Sequence, residues 1–353
     1  MPAEPSLRVL ICRLSHIGDC LLTLPMLCAL RAGYPDAHIT WLLEPPTDQL
    51  LRTHPAIDRL IVVRRGWLKS FAEIRRVRDE LRSAQIDIVL DPQGLTKSAI
   101  GGWLSGARRR IGFNRPTARE LAPWLDNELV QPGRTHLVEK SLDLLVPLGI
   151  DRPRVAFQLP RYPEARHEID ALVSRFHLGC GFAVINPGAS WPSKQWPPAR
   201  FGEVAKHLGH RRRLPSVVVW AGEKERAMAE TAVAHSGGHA LLAAKTSLTE
   251  LAELCRAASL LVSSDSGPLH LAAAIGTPCV GLYGPTRVAD CGPYGRGHVS
   301  VQAFYQQGSS RQRRRAPNDA LRAIDVGTVC MACDELLARR KTPAGPVPAL
   351  VAA

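Results

Sequence analysis

The stretch Val262-Ser-Ser-Asp-Ser-Gly-Pro-Leu-His-Leu-Ala-Ala-Ala-Ile-Gly-Thr-Pro-Cys-Val-Gly-Leu-Tyr-Gly-Pro-Thr286 reads as a strand, a tight turn, a helix and a second strand. An apolar run ends at Val262, and Asp265-Ser266-Gly267 supplies turn residues. Pro268 suits the first helical position, where its missing N–H costs nothing. Leu269 to Ile275 is a short, strong helix former, Gly276 can end it, and Pro278 to Tyr283 is the next apolar strand. The turn leaves the N–H groups of Ser266, Gly267 and Leu269 free at a helix N-terminus, an anion site by geometry and dipole. Gly267 lets a phosphate come close to the backbone, so a nucleotide is expected here. Read alone, the same residues serve equally well as the helix cap of an ordinary α/β protein.

Two further segments add chemistry. Asn186-Pro-Gly-Ala-Ser-Trp-Pro-Ser-Lys-Gln-Trp-Pro197 puts Ser190 and Lys194 on a bent loop directly after the strand Phe182 to Ile185. A hydroxyl and an ammonium on such a loop suit a diphosphate. Arg13-Leu-Ser-His-Ile-Gly-Asp-Cys-Leu-Leu-Thr-Leu-Pro25 follows the first strand and carries Gly18-Asp19 at a strand-to-helix turn.

Together the three segments resemble the lipopolysaccharide heptosyltransferases, glycosyltransferase family 9. Gly18-Asp19, Thr23-Leu24-Pro25 and Ala29-Leu30 match the family's N-terminal pattern. Pro187-Gly188-Ala189 and Lys194-Gln195-Trp196-Pro197 match its central pattern; Asp265 to Ala273, Pro278 and Tyr283-Gly284-Pro285 match its third. The resemblance runs from about residue 8 to about residue 300. It implies a GT-B architecture, with two Rossmann-like, doubly wound parallel-sheet domains facing a cleft. It also implies an inverting, metal-independent glycosyl transfer with no resident cofactor. The implied donor is a nucleotide sugar, ADP-heptose, bound as substrate. The implied acceptor is an anionic lipid-linked saccharide, the lipopolysaccharide core or a relative of it. The chain departs from the family at Gly308 to Arg315, where many members carry a Cys-rich segment. The loops Thr47 to Lys69 and Gly112 to Glu128 match no family motif.

The pattern along the chain points the same way. Strand-like runs such as Leu7–Cys12, Ala37–Leu43 and Ile86–Asp91 alternate with helical periodicity, which calls for a parallel, doubly wound sheet. A Pro-rich link at Pro153–Pro163 separates a first domain, 1–158, from a second, 164–325; a C-terminal helix and tail, 326–353, follow. The resemblance has that helix cross back to the first domain. Gln302 to Asn318 turns to Gln, Ser and Arg and reads as an exposed loop.

Composition limits the alternatives. A net charge of +13 on 353 residues asks for an anionic partner, such as a phosphorylated substrate or an acidic membrane surface. No nucleic-acid-binding signature is present, and aromatics at 5% leave little for base stacking, so nucleic acid is not expected. No window approaches the ~18 apolar residues of a membrane span, and the start lacks a secretory pattern. A cytoplasmic monomer with peripheral contact to the inner-membrane surface is the expectation. The nine cysteines are scattered, with one C-x-x-C at Cys330/Cys333; reduced thiols rather than a metal site are expected.

Each candidate has a plain structural role beside its chemical one. Asp19 is either a first-turn acid complementing a helix dipole or, as its family counterpart is read, the general base that takes the acceptor's proton. Lys194 is either a solvated loop lysine or the cation that neutralises the departing diphosphate. Asp265, an anion, is a poor phosphate ligand and is expected to order its turn. His270 faces the diphosphate or packs in the core. Glu223, with Glu225 as its rival one helical turn-step away, sits where an acid accepts ribose hydroxyls. Gly18, Ser190, Ser266 and Gly267 complete the donor set. Arg64 and Arg109, within the pairs and runs Arg64/Arg65 and Arg108–Arg110, are solvated surface or hold acceptor anions. Two readings compete with heptosyl transfer: a transferase for another sugar or acceptor, and a basic binding protein on a vestigial nucleotide fold. Retention of both Asp19 and Lys194 favours an enzyme.

Overall fold

The computed structural model describes residues 6–341. The first half builds a six-stranded sheet from β1 (Arg8–Cys12), β2 (His38–Leu43), β3 (Arg59–Val62), β4 (Ile88–Asp91), β5 (Arg109–Phe113) and β6 (Glu128–Val130), in the order β3-β2-β1-β4-β5-β6. The second half repeats the plan with β7 (Ala183–Asn186), β8 (Ser216–Val218), β9 (Ala240–Leu242), β10 (Leu260–Ser264), β11 (Cys279–Tyr283) and β12 (His298–Gln302), ordered β12-β11-β10-β7-β8-β9. All pairings are parallel, with Ile11 beside Trp41 and Leu90, and Val262 beside Ile185 and Val280. Helices cover both faces, which is why β1 from Val9 onward and β10 throughout are apolar or small rather than alternating. Leu10, Ile11, Leu260 and Val262 are fully buried, each contributing roughly 1.5–3 kcal/mol against exposure.

Two helices depart from the usual one-sided pattern. Ile17–Gly33 is buried from Cys20 through Leu30, and Gly267–Ile275 from Leu269 through Ala273. A helix apolar all round belongs inside a core. These two pack against each other between the sheets, so the apolar core runs without a break from one half into the other. The connection, residues 151–162, has no regular element but is bonded to both halves. The Tyr162 hydroxyl donates to the Leu50 carbonyl at 2.8 Å, while Arg256 Nη2 donates to the carbonyls of Leu159 and Pro160 at 2.9 and 2.6 Å.

The structure departs from the sequence reading in several places. β6 and β12 are strands that no long apolar run announces, and they bring each sheet to six. Trp67 to Ala84 has the periodicity and charge of one helix, yet it divides at Ser70, whose hydroxyl accepts from Glu73 N and caps the helix Phe71–Ser83. Residues 302–318 are not wholly loop, because Ser309 and Gln312 form a reciprocal cap that starts a helix, Ser310–Arg315. The last helix, Val326–Lys341, does not cross back to the first sheet. Its stripe of Val329, Cys330, Cys333 and Leu336 packs into the second domain's core, against the helix Pro198–Arg212 and β10 to β12. The tail expected after it lies outside the described residues.

Candidate active site

In a doubly wound sheet, ligands bind where strand order reverses, at the carboxyl ends of the strands. The reversals here are β1/β4 and β7/β10, and the two open toward each other. A cleft cavity of about 270 Å³ lies between them. Its first wall is Leu14 to Gly18 after β1 and Glu44 to Thr47 after β2; its second is formed by the loops after β7, β8 and β10.

Asp265, at the end of β10, is the centre of the second wall. It is almost fully buried and gathers four side chains. Its Oδ2 lies 2.5 Å from Lys194 Nζ and accepts from Thr286 Oγ1 at 2.7 Å, with Cys291 Sγ at 3.8 Å. Its Oδ1 lies 3.0 Å from His270 Nε2. Burial works to raise the carboxyl's pKa, but the Lys194 ammonium and then His270 overcome it and hold Asp265 well below the usual carboxylate range. Asp265 is therefore ionised and positions Lys194, whose side chain is 13% exposed and also sits 4.4 Å from the Trp191 ring centroid. Next to this cluster the buried Asn186 amide reaches Gly188 O at 2.9 Å, Ser263 Oγ at 3.0 Å and Ser266 Oγ at 3.1 Å. That network stitches the β7 loop to the β10 loop and fixes the turn at the start of the Gly267–Ile275 helix.

On the first wall, Asp19 occupies the first turn of its helix. Its Oδ2 accepts from His16 N at 3.3 Å and lies 3.2 Å from the buried Arg13 Nη2. Arg13 is itself anchored through Nη1 to Pro92 O at 2.6 Å, across the β1/β4 reversal. Asp19 stands beside the cavity rather than in its lining, one residue past Gly18, which does line it. Its field reaches Cys291: burial and then Asp265 raise that thiol's pKa, Lys194 opposes, and Asp19 adds to the rise. The two walls meet at Gly18. A Cβ there stands 2.5 Å from His270 Cδ2, so only glycine lets the helices approach this closely.

Of the residues singled out from sequence, Gly18, Ser190, Ser266 and Gly267 line the cavity, while Lys194, Asp265 and His270 form the cluster behind it. Glu223 does not join them: its side chain is 85% exposed and points away. Glu225 takes the inner position, accepting from Ala221 N at 2.9 Å and packing beneath Gly188, and desolvation raises its pKa. Only the first of the two acids lies on the outer face of the helix Gly222–Ala234. Arg65 lines the cavity and Arg64 does not. Arg109 is a correction. As the first residue of β5 it lies at the opposite edge of the sheet, paired with Glu128 at 3.0 Å, because parallel strands put all their starts on one side. Arg13, Asn186 and the pair Lys97–Glu44, 3.0 Å apart with only Glu44 buried, were missed as site residues. Arg13 and Asn186 stand inside quoted motifs, yet nothing local marks them as network members.

Residues 74–320 match the model of glycosyltransferase family 9 (heptosyltransferase). The chain is similar to lipopolysaccharide heptosyltransferase 1 of Pseudomonas aeruginosa, 31% identical over 84% of this chain and 83% of that one. It is likewise similar to lipopolysaccharide heptosyltransferase 1 of Salmonella typhimurium, 32% identical over 83% of this chain and 93% of that one. Among solved structures, Escherichia coli heptosyltransferase WaaC with ADP-2-deoxy-2-fluoro heptose superposes with a TM-score of 0.74, at 27% identity, over 93% of this chain and 99% of that one.

Proposed function

The chain belongs to glycosyltransferase family 9, the heptosyltransferases, and is a glycosyltransferase of GT-B architecture; on that premise we propose that it transfers heptose from ADP-heptose to a lipopolysaccharide core or related lipid-linked saccharide. The observation that carries the reading is the Lys194–Asp265–His270 cluster behind a cavity lined by Ser190, Ser266 and Gly267, with Asp19 on the facing wall. In this reading the nucleotide's apolar face lies along Val219, Trp220, Leu248 and Leu251, and Glu225 faces the ribose. The diphosphate meets the free N–H groups at Ser266 and Gly267 and the ammonium of Lys194.

The acceptor hydroxyl attacks the anomeric carbon from the side opposite the diphosphate, so configuration inverts. Its proton passes to the Asp19 carboxylate, which Arg13 holds in place. The bond from the anomeric carbon to the diphosphate oxygen breaks, and ADP leaves carrying the electron pair. Negative charge grows on that oxygen toward the transition state, where Lys194 and the helix amides are worth most. A cation already in the protein is the basis for proposing that no divalent metal is needed. No helix among the described residues is long and apolar enough to cross a membrane. We propose peripheral contact with the membrane that carries the acceptor.

The test is transfer from ADP-heptose to a core saccharide, with the product's anomeric configuration assigned by NMR and the assay repeated in EDTA. Asp19→Asn is expected to lose roughly 10²–10⁴-fold in kcat while binding ADP normally. A retained configuration, a strict metal requirement or near-normal kcat in Asp19→Asn contradicts the mechanism; failure of every heptose donor contradicts the substrate.

A further inference from the structure

The Arg-rich segment at 308–315 is not a solvated run. Its helix Ser310–Arg315 is fixed to the same loop that completes the Asp265 cluster. Arg313 donates through Nε to Gly308 O at 3.1 Å and through Nη1 to Pro285 O, and lies 5.6 Å from the Tyr305 ring centroid. Pro285 directly precedes Thr286, the residue that donates to Asp265. Arg313 is thus spent on holding the helix in place. The next residue, Arg314, is held only by stacking: its guanidinium sits 4.7 Å from the centroid of Trp191, the ring that Lys194 also approaches. Arg314 has no hydrogen bond or ion pair among the described residues. Three cations near the reacting centre are already matched, Lys194 by Asp265, Arg13 by Asp19 and Lys97 by Glu44, and Arg287 stacks 4.5 Å from the Tyr305 ring centroid. Arg65 on the facing wall, like Arg314, is unpaired among the described residues.

His16, at the start of the Ile17–Gly33 helix, lines the same wall of the cavity as Arg65. Desolvation lowers the His16 pKa, and the fields of Arg314, Lys97 and Arg65 lower it further against the pull of Asp19. Arg314 is held beside Lys194 and over Trp191, which directly follows the cavity-lining Ser190, whereas His16 and Arg65 line the other wall. A guanidinium stacked on an indole, without a hydrogen-bond or ion-pair partner among the described residues, has N–H donors to offer a carboxylate or phosphate.

We propose that Arg314, with Arg65 opposite, forms a subsite for an oxyanion carried by the acceptor saccharide, so that the Arg-rich helix selects anionic acceptors. This rests on the glycosyl-transfer reading above. The chemistry is shared by two sources, an acceptor carboxylate or phosphate and the donor diphosphate, and the experiment separates them. Arg314→Ala, Arg314→Lys and the control Arg311→Ala are compared with the wild type by ADP titration and by acceptor-saturation kinetics. The acceptors are a core saccharide bearing a carboxylate and its methyl ester. Binding of each saccharide to ADP-loaded protein is measured alongside, so the comparison does not depend on turnover. Arg314→Ala is expected to raise the acceptor KM and Kd for the carboxylate roughly tenfold or more, the scale of one charge-assisted contact, and to leave ADP affinity within about twofold. Discrimination against the ester should collapse, Arg314→Lys should recover only part of it, and Arg311→Ala should match the wild type. Loss of ADP affinity with unchanged acceptor KM assigns Arg314 to the donor and overturns the proposal. So does equal weakening of carboxylate and ester. A wild type that binds ADP but transfers no heptose defeats the functional reading instead, while the saccharide-binding arm still decides the role of Arg314.

Discussion

Lys194 and Asp265 each serve the other, and this complicates any reading of a single substitution. Lys194→Ala removes the cation proposed for the diphosphate, but it also leaves a buried carboxylate without its partner. Breaking such a pair costs about 3–5 kcal/mol, whereas replacing both members by neutral groups is often nearly harmless. Lys194→Met alone is therefore expected to lower Tm and weaken ADP binding, and Lys194→Met with Asp265→Asn to recover much of the Tm without recovering kcat. Recovery of activity in the double variant removes Lys194 from leaving-group stabilisation. A second buried acid pair gives a prediction with a pH sign. Burial raises Asp91 against its bonds from Gly94 and Ser98; burial and then the Asp91 charge raise Asp126, whose carboxyl oxygens have no hydrogen-bond partner among the described residues. The folded state binds these protons more tightly than the unfolded chain. The pair's contribution to stability is therefore greatest at low pH and falls as pH rises from the ordinary carboxylate range, about pH 4, through the raised values. Asp126→Asn is expected to raise Tm at about pH 8 and to change it little at about pH 5. Equal shifts at both would show that the carboxyl is not protonated in the fold.

At the scale of elements, the seam between the helices Ile17–Gly33 and Gly267–Ile275 sets the alignment of the two walls. Gly18→Ala ought to favour the first helix, since alanine in a helix interior gains up to about 1 kcal/mol over glycine. The new methyl, however, lands against His270, and overpacking a tight contact costs roughly 1–3 kcal/mol. The overpacking term is the larger, and it acts on the residue that holds Asp265. The expected outcome is a folded protein with a slightly lower Tm and a clearly weaker ADP affinity and kcat, read by melting, titration and turnover on one preparation. Full activity in Gly18→Ala would mean that the helices can part here without consequence. The same seam explains why β1 and β10 sit at the centre of their sheets: both cleft helices emerge from strands that are buried on both sides.

At the scale of the whole molecule, most of the large apolar side chains left in solvent belong to the first domain, with Phe176, Phe304 and Met331 outside it. Trp124 is 72% exposed with Arg115 stacked 5.5 Å from its ring, and Leu121, Trp103 and Arg119 are exposed as well. Arg119 N donates to Gly94 O, which ties the 115–124 loop to the carboxyl edge of the sheet, the side that bears the cleft. Amphipathic aromatics beside arginines suit the interface of an anionic bilayer. Trp124→Ala with Leu121→Ser is expected to reduce co-sedimentation with anionic vesicles and to leave kcat on a soluble acceptor unchanged. Undiminished sedimentation would show that this patch does not carry membrane contact.

The sequence by itself determined the two doubly wound halves, because strand and helix periods, glycine turns and helix caps are local chemistry spread over a few residues. It also marked the loops for which phosphate binding is proposed: Ser190, Lys194, Ser266 and Gly267 sit on turns whose shape follows from nearby Gly and Pro. What joins distant segments was decided only in three dimensions. Lys194 and Asp265 are 71 positions apart, and nothing near either one names the other. The choice between Glu223 and Glu225 depended on which side of a helix faces the β7 loop. Arg109 belonged to a promising basic run, but the parallel sheet carried the start of β5 to the far edge. Arg314 lay in a segment that composition marks as solvated, and a cap at Ser309 and a ring at Trp191 brought it beside Lys194. Charge is additive along a chain, whereas the field at a site depends on the directions in which side chains are held, and those are set by packing between the halves.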